Sequence, residues 1–388
     1  MKFCCVEYTT KTRRVWVPSV EHPNYLADPL MEIDPTSFGS YTTALCGEHV
    51  PLTGAILGHL DGRMLQPLFQ RLHWSVFGRW ASYSLRYFRK FDTVLAVYDW
   101  QRGRELTKFV QRLREAFPET VVIGVPTQPF GALREAWRET KHLSPLVEFY
   151  DACHAVLSIV RATVPYQQAM TRTPVVYIPQ PYPTSYAMQF RHRGSEKERI
   201  LFIAGETVRP DILAGHLAAR AIQQKHPELT IHVTATPGSP LNPTFLQDTR
   251  HEIVPFRRWR EYLPYLSLVS LVINTDTQWT RGRVQADCAA VGTPSIGGPS
   301  DGQQELFPEL LVRDVEDFPT MIDLGLRLLG DMAFYTRVAN RAQHRLQSYD
   351  FPAAVRRFTK LVELARQGRA SEFPELSWKQ DVLVESQI

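Results

Sequence analysis

The sequence predicts an α/β protein of two Rossmann-like domains facing each other across a cleft. Three observations predict it. Short apolar runs alternate with longer amphipathic runs, the signature of βαβ units and parallel sheets. The alternation stops at residues 179–198, PQPYPTSYAMQFRHRGSEKE, where three prolines precede a polar, charged stretch without apolar period. It then restarts, and 388 residues suit two domains of about 100–200 residues each. The expected organisation is a first domain at 1–180, a linker at 181–198, a second domain at 199–350, and a helical segment with a tail at 351–388.

In the first half the apolar runs predict strands at Phe3–Tyr8, Thr93–Tyr98, Val121–Val125, Ala155–Ser158 and Val175–Ile178. A helix over Arg104–Ala116 is closed by Phe117 and Pro118, because proline cannot continue a helix. Residues 22–57 are rich in Pro, Gly and Thr and read as loops, with Glu48 and His49 as visible candidates. The second half reads as strand Ile200–Ala204, a helix over 210–224, strand Leu229–Thr234 and a short strand at Ile253–Val254. Helix Trp259–Val269 then precedes strand Leu271–Asn274, helix Arg283–Val291 and strand Ser295–Ile296. Leu310–Val312 is read as a last strand, and helices at Phe318–Leu329, Ala333–Gln347 and Pro352–Arg366 close the chain.

Composition narrows the function classes. Hydrophobic residues make up 44% and charged residues 22%, which excludes disordered and collagen-like chains. No apolar run approaches the ~20 residues that span a bilayer, and the apolar start is too short for a signal-peptide core. Five scattered cysteines form no CxxC pair and read as reduced thiols of a cytoplasmic protein. A net charge of +4 is too mild for a nucleic-acid binder, and it suits anionic small ligands or an anionic membrane surface. Residues 62–91 combine basic side chains with an aromatic stripe of Phe69, Leu72, Val76, Trp80, Tyr83 and Tyr87. Such a helix can lie peripherally on the inner face of a membrane; packing of the stripe on the first sheet is the simpler reading.

The chemistry concentrates in Asp276–Leu310, DTQWTRGRVQADCAAVGTPSIGGPSDGQQELFPEL, which follows a predicted strand end. Gly282 lets backbone approach a ligand, free amides at a helix start attract phosphate oxygens, and Arg281 and Arg283 add positive charge. A diphosphate is the expected guest. Asp287, one turn further in, can accept hydrogen bonds from ribose hydroxyls. Gly292, Thr293 and Pro294 end the helix. Gly297 and Gly298 mark a loop passing close to a ligand or to other backbone, and Glu305 is placed at the start of the next short helix. In the first domain, Asp99 follows a strand end and is a candidate base or hydroxyl ligand.

The run from Asp287 through Gly-Thr-Pro-Ser-Ile to Gly297, Gly298 and Glu305 resembles the C-terminal signature of GT-B glycosyltransferases of the family 4 type. In that family an E-x7-E motif enters a helix ending in Gly-Thr-Pro, followed by a strand and a Gly-Gly-x-Pro-Glu loop. The resemblance implies that Asp287 stands for the second Glu, which holds the ribose, and that Glu305 matches the loop Glu. Trp279 occupies the position of the first Glu, which contacts the donor sugar. Arg209 lies near the family's usual diphosphate-binding Lys, while Glu206 replaces the usual loop Arg. Gln128 is the polar residue nearest the place where the family often has a His, and Asp350–Leu364 resembles the final helical segment that crosses back to the first domain, so the resemblance implies C-terminal helices crossing back there.

The resemblance implies transfer of a sugar from a nucleoside-diphosphate sugar to a glycan, lipid-linked or protein acceptor, with retention at the anomeric carbon. No cofactor is implied. Twelve histidines lack metal-ligand spacing and no Asp-x-Asp occurs, so Arg and helix amides, in place of a metal, would neutralise the leaving diphosphate. Trp279 and Glu206 motivate an alternative, an inactive GT-B partner or scaffold. A sugar-nucleotide epimerase ranks lower, because paired carboxylates and a His for proton shuttling are not in evidence.

Overall fold

A computed structural model describes residues 1–8, 38–52, 85–99, 103–126, 140–191, 197–204, 212–235, 247–275, 280–314 and 316–374. The chain forms two compact units, residues 1–181 with 351–388 and residues 182–350.

The first unit is built around β1 (Phe3–Tyr8), α1 (Gly39–Ala44), β2 (Glu48–Leu52), β3 (Thr93–Tyr98), α2 (Gly103–Ala116) and β4 (Val121–Pro126). It continues with α3 (Thr140–Asp151), β5 (Ala155–Ser158), α4 (Val164–Met170) and β6 (Val175–Tyr177). Its six strands are parallel in the order β2-β1-β3-β4-β5-β6. TVLAVY of β3 and VVIGVP of β4 are buried at every position, as strands covered on both faces must be. On one face α2 buries Leu106, Phe109, Val110 and Leu113, a stripe at helical spacing, against Val94, Ala96 and Tyr98.

Two elements of this unit depart from the sequence reading. Glu48–Leu52, read as loop, is a strand at the sheet edge, where Pro51 is tolerated because its missing N–H need not serve a ladder. Helix α3 forms despite an internal Pro145. Of the aromatic stretch at 62–91, the part before Leu85 lies outside the described residues; within the rest, Phe88 and Phe91 are buried in the first unit's core.

The second unit opens with α5 (Thr184–Ala187) and a 3₁₀ turn at Met188–Phe190, where a linker was expected. The reason is aromatic packing. Tyr186 stacks on Trp259 at 5.5 Å and 25°, and meets Phe190 at 5.4 Å. Beyond it, the half-buried Lys197 ammonium, pushed down to about 8 by desolvation, donates to Thr293 Oγ1 at 2.6 Å. The segment on both sides of residues 192–196 therefore belongs to this unit.

There follow β7 (Ile200–Ala204), α6 (Ile212–Lys225), β8 (Thr230–Ala235), β9 (His251–Pro255), α7 (Trp259–Leu268) and β10 (Leu271–Asn274). Next come α8 (Arg283–Val291), β11 (Ser295–Gly297), α9 (Asp301–Leu306), α10 (Phe318–Gly330) and α11 (Met332–Leu346). The five strands are parallel in the order β11-β10-β7-β8-β9. The strand expected at Leu310–Val312 is a single bridge between Leu311 and Gly297, because Pro308 starts a 3₁₀ turn that uses up residues 308–310. Finally α12 (Phe351–Arg366) returns to the first unit, where the ring of Phe358 meets Phe3 edge-on at 5.5 Å and Tyr41 at 5.7 Å. Among the described residues no helix is long and apolar enough to cross a membrane.

Candidate functional site

In the second sheet the chain runs outward from β7 to β9 and then resumes on the other side of β7 with β10. The β7/β10 junction is thus a topological switch point, and the crevice outside its carboxyl ends is where open α/β sheets hold ligands. Ala204 and Asn274 end these strands in register. The chain then reaches Gly282, the N-cap of α8, at φ 78° and ψ 49°, a left-handed conformation that disfavours side chains. A Cβ at Gly282 would also stand 2.5 Å from the Cα of Gly302. The reciprocal contact is as tight, with a Gly302 Cβ 2.6 Å from the Gly282 carbonyl oxygen.

This glycine contact fixes two helix starts together. Asp301 N–H donates to the Thr280 carbonyl at 3.1 Å and Gly302 N–H to that of Arg281 at 3.2 Å. The first amides of α9 are therefore used internally. The start of α8 differs: its N-cap is a glycine, which has no side chain to cap the first-turn amides, and these have no partner within the helix. Arg281 is half-buried and Arg283 exposed at this positive end. The arrangement favours an anion.

Asp287 lies one turn in and is 2% exposed. Its Oδ1 accepts the Tyr182 hydroxyl at 2.7 Å and the Trp259 indole N–H at 2.8 Å. A buried carboxylate needs such donors. Tyr182 is the first residue of the unit and Trp259 the first of α7, 105 and 28 residues away in sequence. Sequence reading missed both, since no local pattern relates them to Asp287.

Glu305 requires a correction. It is the next-to-last residue of α9 and not at its start. A carboxylate beside the negative end of a helix is disfavoured unless paired. It is paired: the Tyr349 hydroxyl donates to Oε2, and Arg345 donates to the Glu305 main-chain carbonyl at 2.8 Å. For Gly297 and Gly298, close backbone is the reason found in the fold. A Cβ at Gly297 would stand 2.8 Å from the Asn274 carbonyl oxygen, and the Gly298 carbonyl accepts Ser300 N–H at 2.8 Å. Behind them Gln303 donates to the carbonyls of Ser295, Phe307 and Leu310 and accepts from Gln285 at 3.3 Å, a buried support that sequence reading also missed.

In the first unit the switch point lies between β1 and β3. Asp99 immediately follows β3 there, half-buried. Glu7, near the end of neighbouring β1, was not singled out from sequence; its carboxylate stands 3.5 Å from Nε2 of His49. His49 is fully buried in β2, and desolvation lowers its pKa to about 4 despite that carboxylate. Glu48 begins β2 at the opposite end, where Tyr87 and Lys90 bind it, the latter at 2.6 Å. It supports the fold there and is remote from the carboxyl ends of the strands. Gln128, Arg209 and Trp279 lie outside the described residues. Among those described, no group of three or more His, Cys, Asp or Glu could hold a metal ion.

Two parallel Rossmann-like sheets, joined twice and closed by a helix that returns to the first unit, define the GT-B fold class, and this chain has that fold. No protein-family model and no curated protein matches it. Among solved structures it is similar to HepE of Anabaena in complex with UDP and glucose, at 15% identity and a TM-score of 0.61 over 94% of this chain and 99% of that one. Sucrose-phosphate synthase of Thermosynechococcus elongatus shares 15% identity at a TM-score of 0.58, over 94% and 98%. TarM of S. aureus shares 11% identity at a TM-score of 0.55, and the match spans 72% of this chain but only 57% of TarM.

Proposed function

We propose that the chain is a glycosyltransferase that takes a sugar from a nucleoside-diphosphate sugar and passes it to a hydroxyl of a glycan, a lipid-linked sugar or a protein. One observation carries the reading: the glycine-capped start of α8, flanked by Arg281 and Arg283, at the β7/β10 switch point. Fixed positive charge there stabilises the negative charge that develops on the departing diphosphate, which is the largest contribution such a site makes to catalysis. Asp287 holds the ribose, and Glu305, Gly297 and Gly298 shape the loop beside it. By the family resemblance, Arg209 would assist at the diphosphate and Trp279 would take the place of the acid that contacts the donor sugar. The similarity to HepE with UDP and glucose supports a nucleotide-sugar donor.

In this reading transfer proceeds with retention and without a metal, the arginines and helix amides doing the work of a cation. Asp99 and Gln128 orient the acceptor on the first unit, and cytoplasmic donor pools supply the sugar. A thermal-shift panel of UDP, GDP, ADP and dTDP tests the site: one of them should raise the melting temperature. A donor-turnover assay then tests the activity, with loss of turnover expected for Arg281→Ala. A non-transferring partner protein is the second reading, favoured by Trp279 where the related motif has a Glu. It requires nucleotide binding without turnover, or neither. Conversion of the donor with no acceptor present would instead indicate an epimerase.

A further inference from the structure

The two carboxylates of the proposed donor site are both held by tyrosines that sit where the chain passes between its units. The second unit begins at Tyr182 and ends at Asp350. The Tyr182 hydroxyl donates to Asp287 Oδ1 at 2.7 Å, and the Tyr349 hydroxyl donates to Glu305 Oε2. The two crossings are also joined directly, Tyr182 N–H donating to the Tyr349 carbonyl at 2.8 Å. Three hydrogen bonds, linked through the covalent frames of the two tyrosines, therefore connect Asp287, the two crossings and Glu305. Trp259 holds the same oxygen of Asp287 at 2.8 Å and packs edge-on against Tyr182 at 6.3 Å, which fixes the ring at the crossing.

We propose that Tyr182 and Tyr349 are positioning residues that couple occupancy of the nucleotide-sugar site to the conformation of the two chain crossings. The proposal rests on the reading of Asp287 and Glu305 as donor-site acids. A ribose hydroxyl at Asp287 or at Glu305 donates to the same carboxylates as the tyrosines do. Binding redistributes the donors around each acid, and a hydroxyl that gains or loses a carboxylate moves its own backbone at the crossing. A ligand shifts such an element only through differential contacts. Here the carboxylates are the shared partners, and the coupling is reciprocal: a change at the crossings must change nucleotide affinity by the same factor.

Hydrogen–deuterium exchange of the full chain tests this, read on peptides covering 178–184 and 347–353, with and without saturating UDP, GDP, ADP or dTDP. In the unaltered protein the nucleotide that binds should change exchange of the Tyr182 amide at least several-fold. Tyr182→Phe and Tyr349→Phe keep the ring packing and remove only the hydroxyl. Each should weaken that nucleotide roughly tenfold, the effect of one hydrogen bond to a charged group. Each should also abolish the exchange response when saturated. Tyr182→Trp, offering an indole N–H, should restore part of the response. Binding with no change at the Tyr182 amide, or full responses in both Phe variants, overturns the coupling and leaves the site reading intact. Failure of all four nucleotides to bind overturns the site reading and the coupling with it.

Discussion

The carboxylate of Asp287 serves the fold and the proposed ligand together. Asp287→Ala leaves the Tyr182 hydroxyl and the Trp259 indole N–H without their acceptor. An abandoned buried donor costs about 1–3 kcal/mol, so chemical denaturation should show that loss. Asp287→Asn keeps an acceptor oxygen and should retain most stability, yet lose nucleotide affinity with the charge. His49 makes a second residue-scale prediction. Burial lowers it to about 4 from 6.5, so between those pH values the unfolded chain binds a proton that the native chain does not. Stability should therefore fall as pH drops from about 6.5 toward 4, by up to about 1.4 kcal/mol per pH unit. Urea titrations at stepped pH should find a shallower slope in His49→Gln. The residue types of the candidate site are visible in the sequence: the glycine, the flanking arginines and the acid one turn on. Their partners were not, since Tyr182, Trp259 and Tyr349 reach the acids only through tertiary packing.

At the scale of elements, the strands with unbroken apolar runs were legible because burial on both faces removes the need for alternation. Edge strand β2 was not, since Glu48, His49 and Pro51 dilute its five residues. Helix α3 was hidden by Pro145, and the aromatic packing that orders residues 184–190 is invisible to a reading that counts prolines. The start of Glu305's helix was misplaced because α9 is only six residues long, with Ser300 as its N-cap rather than a later residue. The Gly282–Gly302 contact gives the prediction that belongs here. Gly302→Ala puts a methyl 2.6 Å from the Gly282 carbonyl and must displace one helix start. Overpacking of this kind costs about 1–3 kcal/mol. The urea midpoint should fall, and nucleotide affinity should fall further than the stability loss alone explains.

For the whole molecule, two compact units with separate sheets predict two calorimetric transitions. Phe358 of the returning helix is fully buried against Phe3 and Tyr41, all in the first unit. Phe358→Ala should lose about 3–5 kcal/mol and lower one transition while the other holds its temperature. The central claim is that the positive start of α8 binds a diphosphate, and calorimetric titration with the nucleotide selected by the thermal-shift panel tests it most directly. The intact chain should show a single site, and the Arg281→Ala, Arg283→Ala double variant at least tenfold weaker binding. Equal affinity in the two proteins would contradict it.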